Sequence, residues 1–199
     1  MRKTILRLMA VAVVATGNLA LAGPLTPSGA TAPAPVEPSI AAEKNPPGDI
    51  PDNQTFTDYR SPLGFRIKVP EGWARRDASQ EVSFSDKYNR LHIAVESQAT
   101  EPTDTSLRAN QIAALEKSGK AVRVTSIKLV AIPAGKATVV TFGSNSELNP
   151  VTNKAIRLDN VRYYLWDRSG KLATLTLSSP SGADNLDQWQ LMVKSFGWH

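Results

Sequence analysis

The stretch that decides the fold is DYRSPLGFRIKVPEGW, residues 58–73. Within it Phe65, Ile67 and Val69 alternate with charged residues, which is the period-two pattern of a strand with one buried face. The run Pro70-Glu71-Gly72 follows, and proline and glycine favour a turn there. The stretch therefore predicts a short apolar strand that ends in a turn.

The same alternation recurs through the rest of the chain. Further strands are predicted at 82–84, 91–95, 122–132, 137–142, 155–166 and 171–178. The run Pro133-Ala134-Gly135 joins two of them as a hairpin. A second hairpin turns at Asp167–Gly170, where the glycine can adopt positive φ. Short connections of this kind predict a mostly antiparallel sheet.

Two amphipathic helices are predicted besides the strands. The first, Thr105–Ser118, begins beside the cap candidates Thr103 and Asp104 and ends before Gly119. The second covers residues 184–196, with Asp184 as its cap. Its predicted core stripe comprises Leu186, Trp189, Met192, Val193 and Phe196. Because both helices need a sheet face to cover, the predicted fold class is α+β, a mostly antiparallel β-sheet flanked by helices in an α/β/α sandwich.

Residues 1–22 have the composition of an export signal. Arg2, Lys3 and Arg7 make a positive start, an apolar run follows, and Ala20-Leu21-Ala22 fits a cleavage site before Gly23. We therefore expect an exported protein, periplasmic or secreted, with no transmembrane span after cleavage. An uncleaved signal acting as an anchor is the alternative, although its apolar run is shorter than the about 20 residues that a spanning helix needs.

The segment 23–55 differs in composition from everything after it. It holds eight of the fourteen prolines and none of the thirteen aromatic residues. This composition predicts a disordered Pro/Ala-rich linker, and it assigns the folded domain to residues 56–199.

Composition also bounds the chemistry. The chain has no cysteine, so neither a lipid anchor on cysteine, nor a disulfide, nor a thiolate metal site is expected. The formal net charge is +5, and removing the three positive side chains of the signal leaves about +2. Nucleic acid is not an expected partner for an exported protein of such modest charge.

The sequence contains no motif that identifies a catalytic residue. A Ser-His-Asp site needs an imidazole, and only His92 and His199 supply one. No Gly-x-Ser-x-Gly elbow is present, and Ser181-Gly182 is explained as the loop before a helix. His199, as the last residue, is expected to fray. We therefore predict no catalytic residue and a non-enzymatic protein.

A metal site is not predicted either. His92 and Glu96 share a strand face but lie about 13 Å apart along it, too far to chelate one ion. The simpler interpretation is a polar solvent face, and a ligand set that joins His92 to a neighbouring strand stays open. Paired acids for glycoside hydrolysis would come from Asp159, Asp167, Asp184 and Asp187, but no spacing marks a pair. No cofactor is predicted.

Two regions are candidates for binding. Arg75 and Arg76, with Arg66 and Lys68, form either a solvated basic surface or a site for an anionic partner. The loop Gly143–Lys154 is longer than a tight hairpin requires. Loops on rigid sheets often carry recognition, so this loop is the preferred contact for a partner or ligand.

The opening stretch, in which a tyrosine leads through glycine into an apolar strand and then to proline, glycine and tryptophan, resembles the start of PsbP-like domains. The ending with Trp189, Ser195-Phe196 and Trp198 is similar to that family's closing helix. The resemblance covers roughly residues 56–198, and its motifs describe packing rather than chemistry. It implies an antiparallel sheet between helices and a non-enzymatic role in binding or assembly.

These observations lead to one principal expectation and two alternatives. The protein is expected to be an exported, non-enzymatic binding or assembly module of the cell envelope, whose partner is an unknown protein or envelope ligand. The alternatives are a small envelope hydrolase, and a carrier of a metal ion or small molecule.

Overall fold

A computed structural model describes residues 37–44 and 48–199. The chain divides into two units, and the described residues fall in the second, Ala34–His199. The predicted export signal and the linker residues 23–36 and 45–47 lie outside the described residues. Within the described part, none of the helices has the length and apolar character needed to cross a membrane.

Strands dominate the described residues, and they form two antiparallel sheets. They are β1 Phe56–Ser61, β2 Phe65–Pro70, β3 Ala74–Asp77, β4 Glu81–Asp86, β5 Asn89–Ser97, β6 Arg123–Ile132, β7 Gly135–Asn145, β8 Arg157–Asp167, β9 Lys171–Pro180 and β10 Gly197–Trp198. The larger sheet has the order β3-β4-β5-β9-β8-β7-β6, and the smaller has the order β1-β2-β10. The predicted strands and both predicted hairpins are confirmed, and Gly170 has the expected positive φ of 85°.

Two helical regions interrupt the strands. The first consists of α1 (Asp104–Leu107), a π-helical stretch (Arg108–Ile112) and α2 (Ala113–Glu116). Thr103 caps it as predicted, because its Oγ1 accepts a hydrogen bond of 3.1 Å from the backbone N–H of Ser106. The second helix is α3 (Leu186–Ser195), which contacts β2.

The larger sheet buries its two faces against different elements. The closed face, which bears Ile93, Leu175 and Tyr163 in register, packs against the smaller sheet and α3. The open face, which bears His92, Thr176 and Arg162 in the same register, is covered by α1 and α2 over one part only. The helices therefore lie on opposite faces, which confirms the predicted α/β/α sandwich.

The prediction for the last helix is confirmed in its core and wrong at its start. Trp189, Met192, Val193 and Phe196 are buried as expected. The helix begins after Asn185 rather than at Asp184, and Leu186 is 62% exposed. The buried positions follow 185, 188, 189, 192, 193 and 196, so residue 186 falls beside this stripe rather than in it.

The described part of the predicted linker is not disordered but contacts the domain, so that part of the prediction is wrong. Ile50 is buried in the core of the closed face, and its backbone N–H donates to Asn185 Oδ1. Gly48 lies so close to Pro180 that an added Cβ would lie 2.6 Å from its ring. The composition of the segment does not predict this contact, because one isolated isoleucine gives no periodic pattern to detect.

The C-terminus also differs from the expectation. His199 was expected to fray, but its backbone N–H donates to the carbonyl of Gly64 at 3.0 Å. The two residues before it form β10, which pairs with β2 at Arg66 and Phe65. A strand of two residues is too short for any periodic pattern, so tertiary pairing alone defines it.

Candidate functional site

A cleft of about 600 Å³ lies on the part of the open face that α1 and α2 leave uncovered. Its floor is the larger sheet, and its walls are the end of α2, the segment that follows α2 and the loop after β7. The volume falls within the 300–1,000 Å³ typical of small-molecule sites. We call this feature the open-face cleft.

The floor of the cleft is built from two rows of polar side chains that run across neighbouring strands. The first row, from β4 to β8, contains Ser85, Arg90, Ser178 and Asn160. The second row, from β3 to β8, contains Arg76, Ser83, His92, Thr176 and Arg162. Because side chains alternate between faces, the residues between these positions form the apolar core of the closed face. The same strands thus carry a core on one side and a polar floor on the other.

Asn160 fixes the first row by hydrogen bonds to both adjacent strands. The hydroxyl of Ser178 donates to Asn160 Oδ1 at 2.6 Å, and Asn160 Nδ2 donates to Ser144 Oγ at 3.0 Å and to the carbonyl of Phe142 at 3.2 Å. All four residues are buried. A buried amide satisfied in this way holds its strands in one register and keeps the floor rigid.

Arg162 is held in place on two sides. Its Nε donates to Thr176 Oγ1 at 2.9 Å, and its guanidinium lies 5.6 Å from the ring centroid of Phe142. Within the described residues, its two terminal nitrogens make no hydrogen bond and no ion pair. A guanidinium with a fixed stem and free terminal donors is pre-organised for an oxygen-rich ligand.

His92 was predicted to lie on a polar solvent face, but it lies in the cleft. Its Nε2 is 3.0 Å from Glu81 Oε2, and its side chain retains 23% of its exposure. Burial is the main cause that lowers the pKa of His92 from 6.5, and the charges of Arg90 and Arg162 act in the same direction. The hydrogen bond to Glu81 opposes this shift. The imidazole is thus biased toward its neutral form, chiefly by burial and further by the two arginines.

The loop chosen from the sequence forms one wall of this cleft. Its residues Gly143–Asn145 continue β7, so the irregular part is shorter than predicted and starts at Ser146. Residues 144–150 line the cleft. At the tip, Asn149 Nδ2 lies 3.5 Å from Tyr88 Oη, on the turn between β4 and β5. The loop therefore reaches across to the opposite wall.

The N-terminal segment places the Glu37 carboxylate on two residues that line the cleft, Lys120 and Asn145. Lys120 Nζ donates to Glu37 Oε1 at 3.0 Å, and Asn145 Nδ2 donates to Glu37 Oε2 at 3.3 Å. These hydrogen bonds, with Lys120 first, lower the pKa of Glu37. Asn145 also bonds the segment's backbone, donating to the carbonyl of Pro38 and accepting from the N–H of Ile40. Lys120 and Asn145 thus hold residues 37–40 against the domain.

The four aspartates considered for glycoside hydrolysis have local structural roles. Asp159 accepts from the Ser181 hydroxyl at 3.0 Å and from the Gly182 N–H at 3.1 Å, so it fixes that turn. Asp167 accepts from Ser169 in the β8–β9 turn, and this bond lowers its pKa. Asp184 donates its N–H to Asp49, and Asp187 lies in the first turn of α3.

The structure separates the basic cluster that the sequence suggested. Arg76 lines the cleft, whereas Arg75 lies over the ring of Tyr59 and bonds Asp77. Lys68 and Arg66 belong to β2 of the smaller sheet, where Lys68 pairs with Asp58. Alternation of side chains along a strand explains why the adjacent Arg75 and Arg76 point to opposite faces.

Residues that could hold a metal ion are not gathered anywhere in the described part of the chain, where no group of three or more His, Asp or Glu side chains has suitable geometry. Glu96 is exposed on β5 and is not the partner of His92. Sequence reasoning missed Arg90, Arg162 and Asn160 as cleft residues. Their only signal was polar character at alternate strand positions, which is shared by ordinary solvent-facing residues.

Comparison with known proteins gives matches among solved structures only. The chain is similar to the cyanobacterial PsbP protein CyanoP of Synechocystis sp. PCC 6803, with a TM-score of 0.54 and 15% identity over 77% of this chain and 99% of that chain. It is also similar to a Bacteroides thetaiotaomicron protein (TM-score 0.48, 11% identity, 71% of this chain and 48% of that chain). A Pseudomonas aeruginosa protein of unknown function has a TM-score of 0.42 and 16% identity over 68% of this chain and 91% of that chain. No family model and no curated protein matches the sequence.

The likeness to CyanoP concerns the fold, since the sequences share few residues. The chain has a PsbP-like α+β fold, as its opening and closing motifs implied. A shared fold does not transfer function, which has to be argued from the site.

Proposed function

We propose that the protein is an exported, non-enzymatic binding or assembly module of the cell envelope, and that its ligand or partner binds in the open-face cleft. One observation carries this proposal: part of a sheet face is left without a covering element and bears ordered polar side chains. A sheet face of that kind is either solvated or occupied by something outside the fold.

The geometry of the cleft supports binding in preference to solvation. The floor is rigid, because Asn160 joins β7, β8 and β9 and Arg162 is held by Thr176 and Phe142. The walls include a recognition loop that spans to Tyr88. Pre-organised polar groups in a concave site fix the orientation of a ligand at little entropic cost.

A hydrolase is the second candidate, and one observation favours it. His92 lies in the cleft and pairs with Glu81 beside it, and Ser83 is opposite His92 in the register. A base oriented by a carboxylate beside a serine is the start of a nucleophilic site. Within the described residues, however, no hydroxyl is hydrogen-bonded to His92, so the bond that would activate the nucleophile is missing.

A photocrosslinker at Ser83 tests the proposed binding site. The full chain would carry p-benzoylphenylalanine at position 83, or at Ser79 as a control in the exposed turn between β3 and β4. Irradiation in the producing cells, followed by intact-mass analysis, should give adducts at position 83 that are absent at position 79. Identical adduct patterns at the two positions would exclude the cleft as the binding site.

Export and the absence of catalysis have their own tests. The mass of the protein recovered from the extracytoplasmic fraction should correspond to a chain that starts at Gly23. A chain that keeps Met1 in the cytoplasm contradicts export. In a screen of ester, amide and glycoside substrates, His92→Gln should change no rate, whereas a lost hydrolytic rate would establish the second candidate.

A further inference from the structure

The charges that line the open-face cleft are strongly unequal. Five of its side chains are cationic, namely Arg76, Lys87, Arg90, Lys120 and Arg162, and one is acidic, Glu147. Glu147 is already paired with Lys120 at 3.0 Å, and Glu81 outside the lining is paired with His92. Neither acid forms an ion pair with the arginines of the floor. The floor therefore carries positive charge that the described residues do not neutralise.

Arg162 and Arg90 both stand on that floor. They lie two strands apart, on β8 and β5, with Ser178 and Thr176 of β9 between them. Two strand spacings and an offset of two residues along the strands place their backbones roughly 12 Å apart. The positive charges of both arginines act on His92, since each lowers the pKa of that imidazole. Hydroxyl groups and two guanidinium groups thus surround one region of the cleft.

Two residues that line the cleft already bind a carboxylate. Lys120 and Asn145 hold the Glu37 carboxylate of the same chain with two hydrogen bonds. Arg157 does not take part in the open region, since it donates to the carbonyl of Ala121 and to Asn145 Oδ1. Lys120 is therefore already paired with acidic side chains, whereas the arginines of the floor form no ion pair with the described residues.

We infer that the open-face cleft binds an oxyanion group, a phosphate or a carboxylate, of an organic ligand, and that Arg162 and Arg90 are its principal contacts. This inference rests on the proposed function and adds the chemical class of the ligand. Arg162 presents two terminal N–H groups in the fork geometry that matches carboxylate and phosphate oxygens. Arg90 supplies the second charge, and the hydroxyls of Ser178 and Thr176 lie between the two strands.

Calorimetric titration of the mature chain with defined probes tests the inference. The probes are glycerol 1-phosphate for the phosphate source, succinate for the carboxylate source, and glycerol as the uncharged control. The variants are Arg90→Gln, Arg162→Lys, which retains the charge but loses the fork, and Arg168→Gln, a control in the exposed β8–β9 turn. A circular dichroism melt of each variant establishes that it is folded.

We expect one charged probe to bind and glycerol not to bind. The affinity for the charged probe should fall at higher salt. Losing a charge-assisted hydrogen bond should raise Kd about tenfold or more in Arg90→Gln and in Arg162→Lys, and Arg168→Gln should bind as the wild type does. In an arginine-side-chain NMR spectrum, the Nε–Hε signal of Arg162 should move during the titration. The probe that binds identifies the source of the oxyanion.

Three results would overturn the inference. The first is an affinity for glycerol equal to that for a charged probe. The second is an unchanged affinity for the charged probe in Arg90→Gln and Arg162→Lys. The third is that neither charged probe binds at millimolar concentration. The crosslink at position 83 separates these failures from a failure of the proposed function. An adduct there, without oxyanion binding, leaves a binding cleft that takes another class of ligand.

Discussion

The two faces of the larger sheet use the same strands for opposite purposes. On the closed face every central strand contributes apolar side chains, and the smaller sheet, α3 and Ile50 cover them. On the open face an apolar cluster of Leu107, Ile112, Val140 and their neighbours exists only beneath α1 and α2. Beyond the end of α2, the same strands present the cleft. Covered positions are apolar, whereas uncovered ones are polar.

This difference shows how the fold divides stability from binding. Burial of an apolar side chain contributes about 1.5–3 kcal/mol, so the closed face can stabilise the domain without help from the cleft floor. The polar floor is then free to carry positive charge. We therefore expect the largest losses in the free energy of unfolding from substitutions on the closed face, smaller losses from the buried polar groups of the floor, and effects on binding from the exposed cleft cations.

The largest effect is expected from Trp189→Ala on the closed face. Removing the buried indole should lower the free energy of unfolding by about 3–5 kcal/mol, as for other large core truncations. Urea denaturation followed by circular dichroism measures the change. Leu186→Ala on the exposed side of the same helix is the control and should cost no more than about 0.5 kcal/mol. An unchanged midpoint for Trp189→Ala would break the comparison.

Ile50→Ala tests whether the N-terminal segment contributes to the core of the closed face. Because Ile50 is buried, its truncation should cost about 2 kcal/mol or more, whereas Ile40→Ala at a half-buried position should cost less. Limited digestion with proteinase K, which cleaves at many residue types, gives a second measurement, since cleavage near the exposed Lys44 should leave a stable fragment that keeps Ile50. A stable fragment that starts after residue 55 would show that this segment is dispensable.

Asn160→Ala examines the rigidity of the cleft floor. The substitution leaves the Ser178 hydroxyl without its acceptor and removes the amide bonds to β7. The expected loss is about 1–3 kcal/mol, the usual cost of unsatisfied buried polar groups. Ser85→Ala is the control, because its hydroxyl makes no hydrogen bond within the described residues, and should be nearly neutral. Equal stabilities of the two variants would indicate that the floor is not ordered by Asn160.

The smallest effect concerns pH and His92. The folded chain lowers the pKa of this imidazole, chiefly through burial, so the unfolded chain binds the proton at a higher pH. The free energy of unfolding should therefore fall as pH falls through 6.5, and level off below the folded pKa. His92→Gln should reduce this slope between pH 7.5 and pH 5.5 in urea denaturation, with His199→Gln as the control. A slope as steep as that of the wild type would remove His92 as its source.

Most of the fold could be predicted from local patterns. Phe65, Ile67 and Val69 are buried as their alternation indicated, and the stripe from Trp189 to Phe196 lies in the core. Ile50, β10 and the start of α3 could not be predicted, because each depends on contacts with residues far away in the chain. Asn185 illustrates this, since its side chain bonds Gly48, Ile50 and Asn89 and thereby fixes where the helix begins.

The candidate site was only partly predictable. The loop after β7, which its unusual length marked in the sequence as a contact for a partner or ligand, lines the cleft, and the contact itself stays a prediction. The arginines of the floor were not selected, and the pair Arg75-Arg76 was treated as one patch. Neighbours on a strand point to opposite faces, so closeness in sequence separated these two cations rather than joining them.

The sequence by itself determined the elements and their apolar faces, since side-chain periodicity depends only on local backbone geometry. Only the tertiary structure decided that Arg76, His92 and Arg162 share one floor. Strand order places β9 between β5 and β8, and register then aligns His92, Thr176 and Arg162. Order and register depend on the packing of the whole domain, in which α1 and α2 cover one part of a face and leave the rest open.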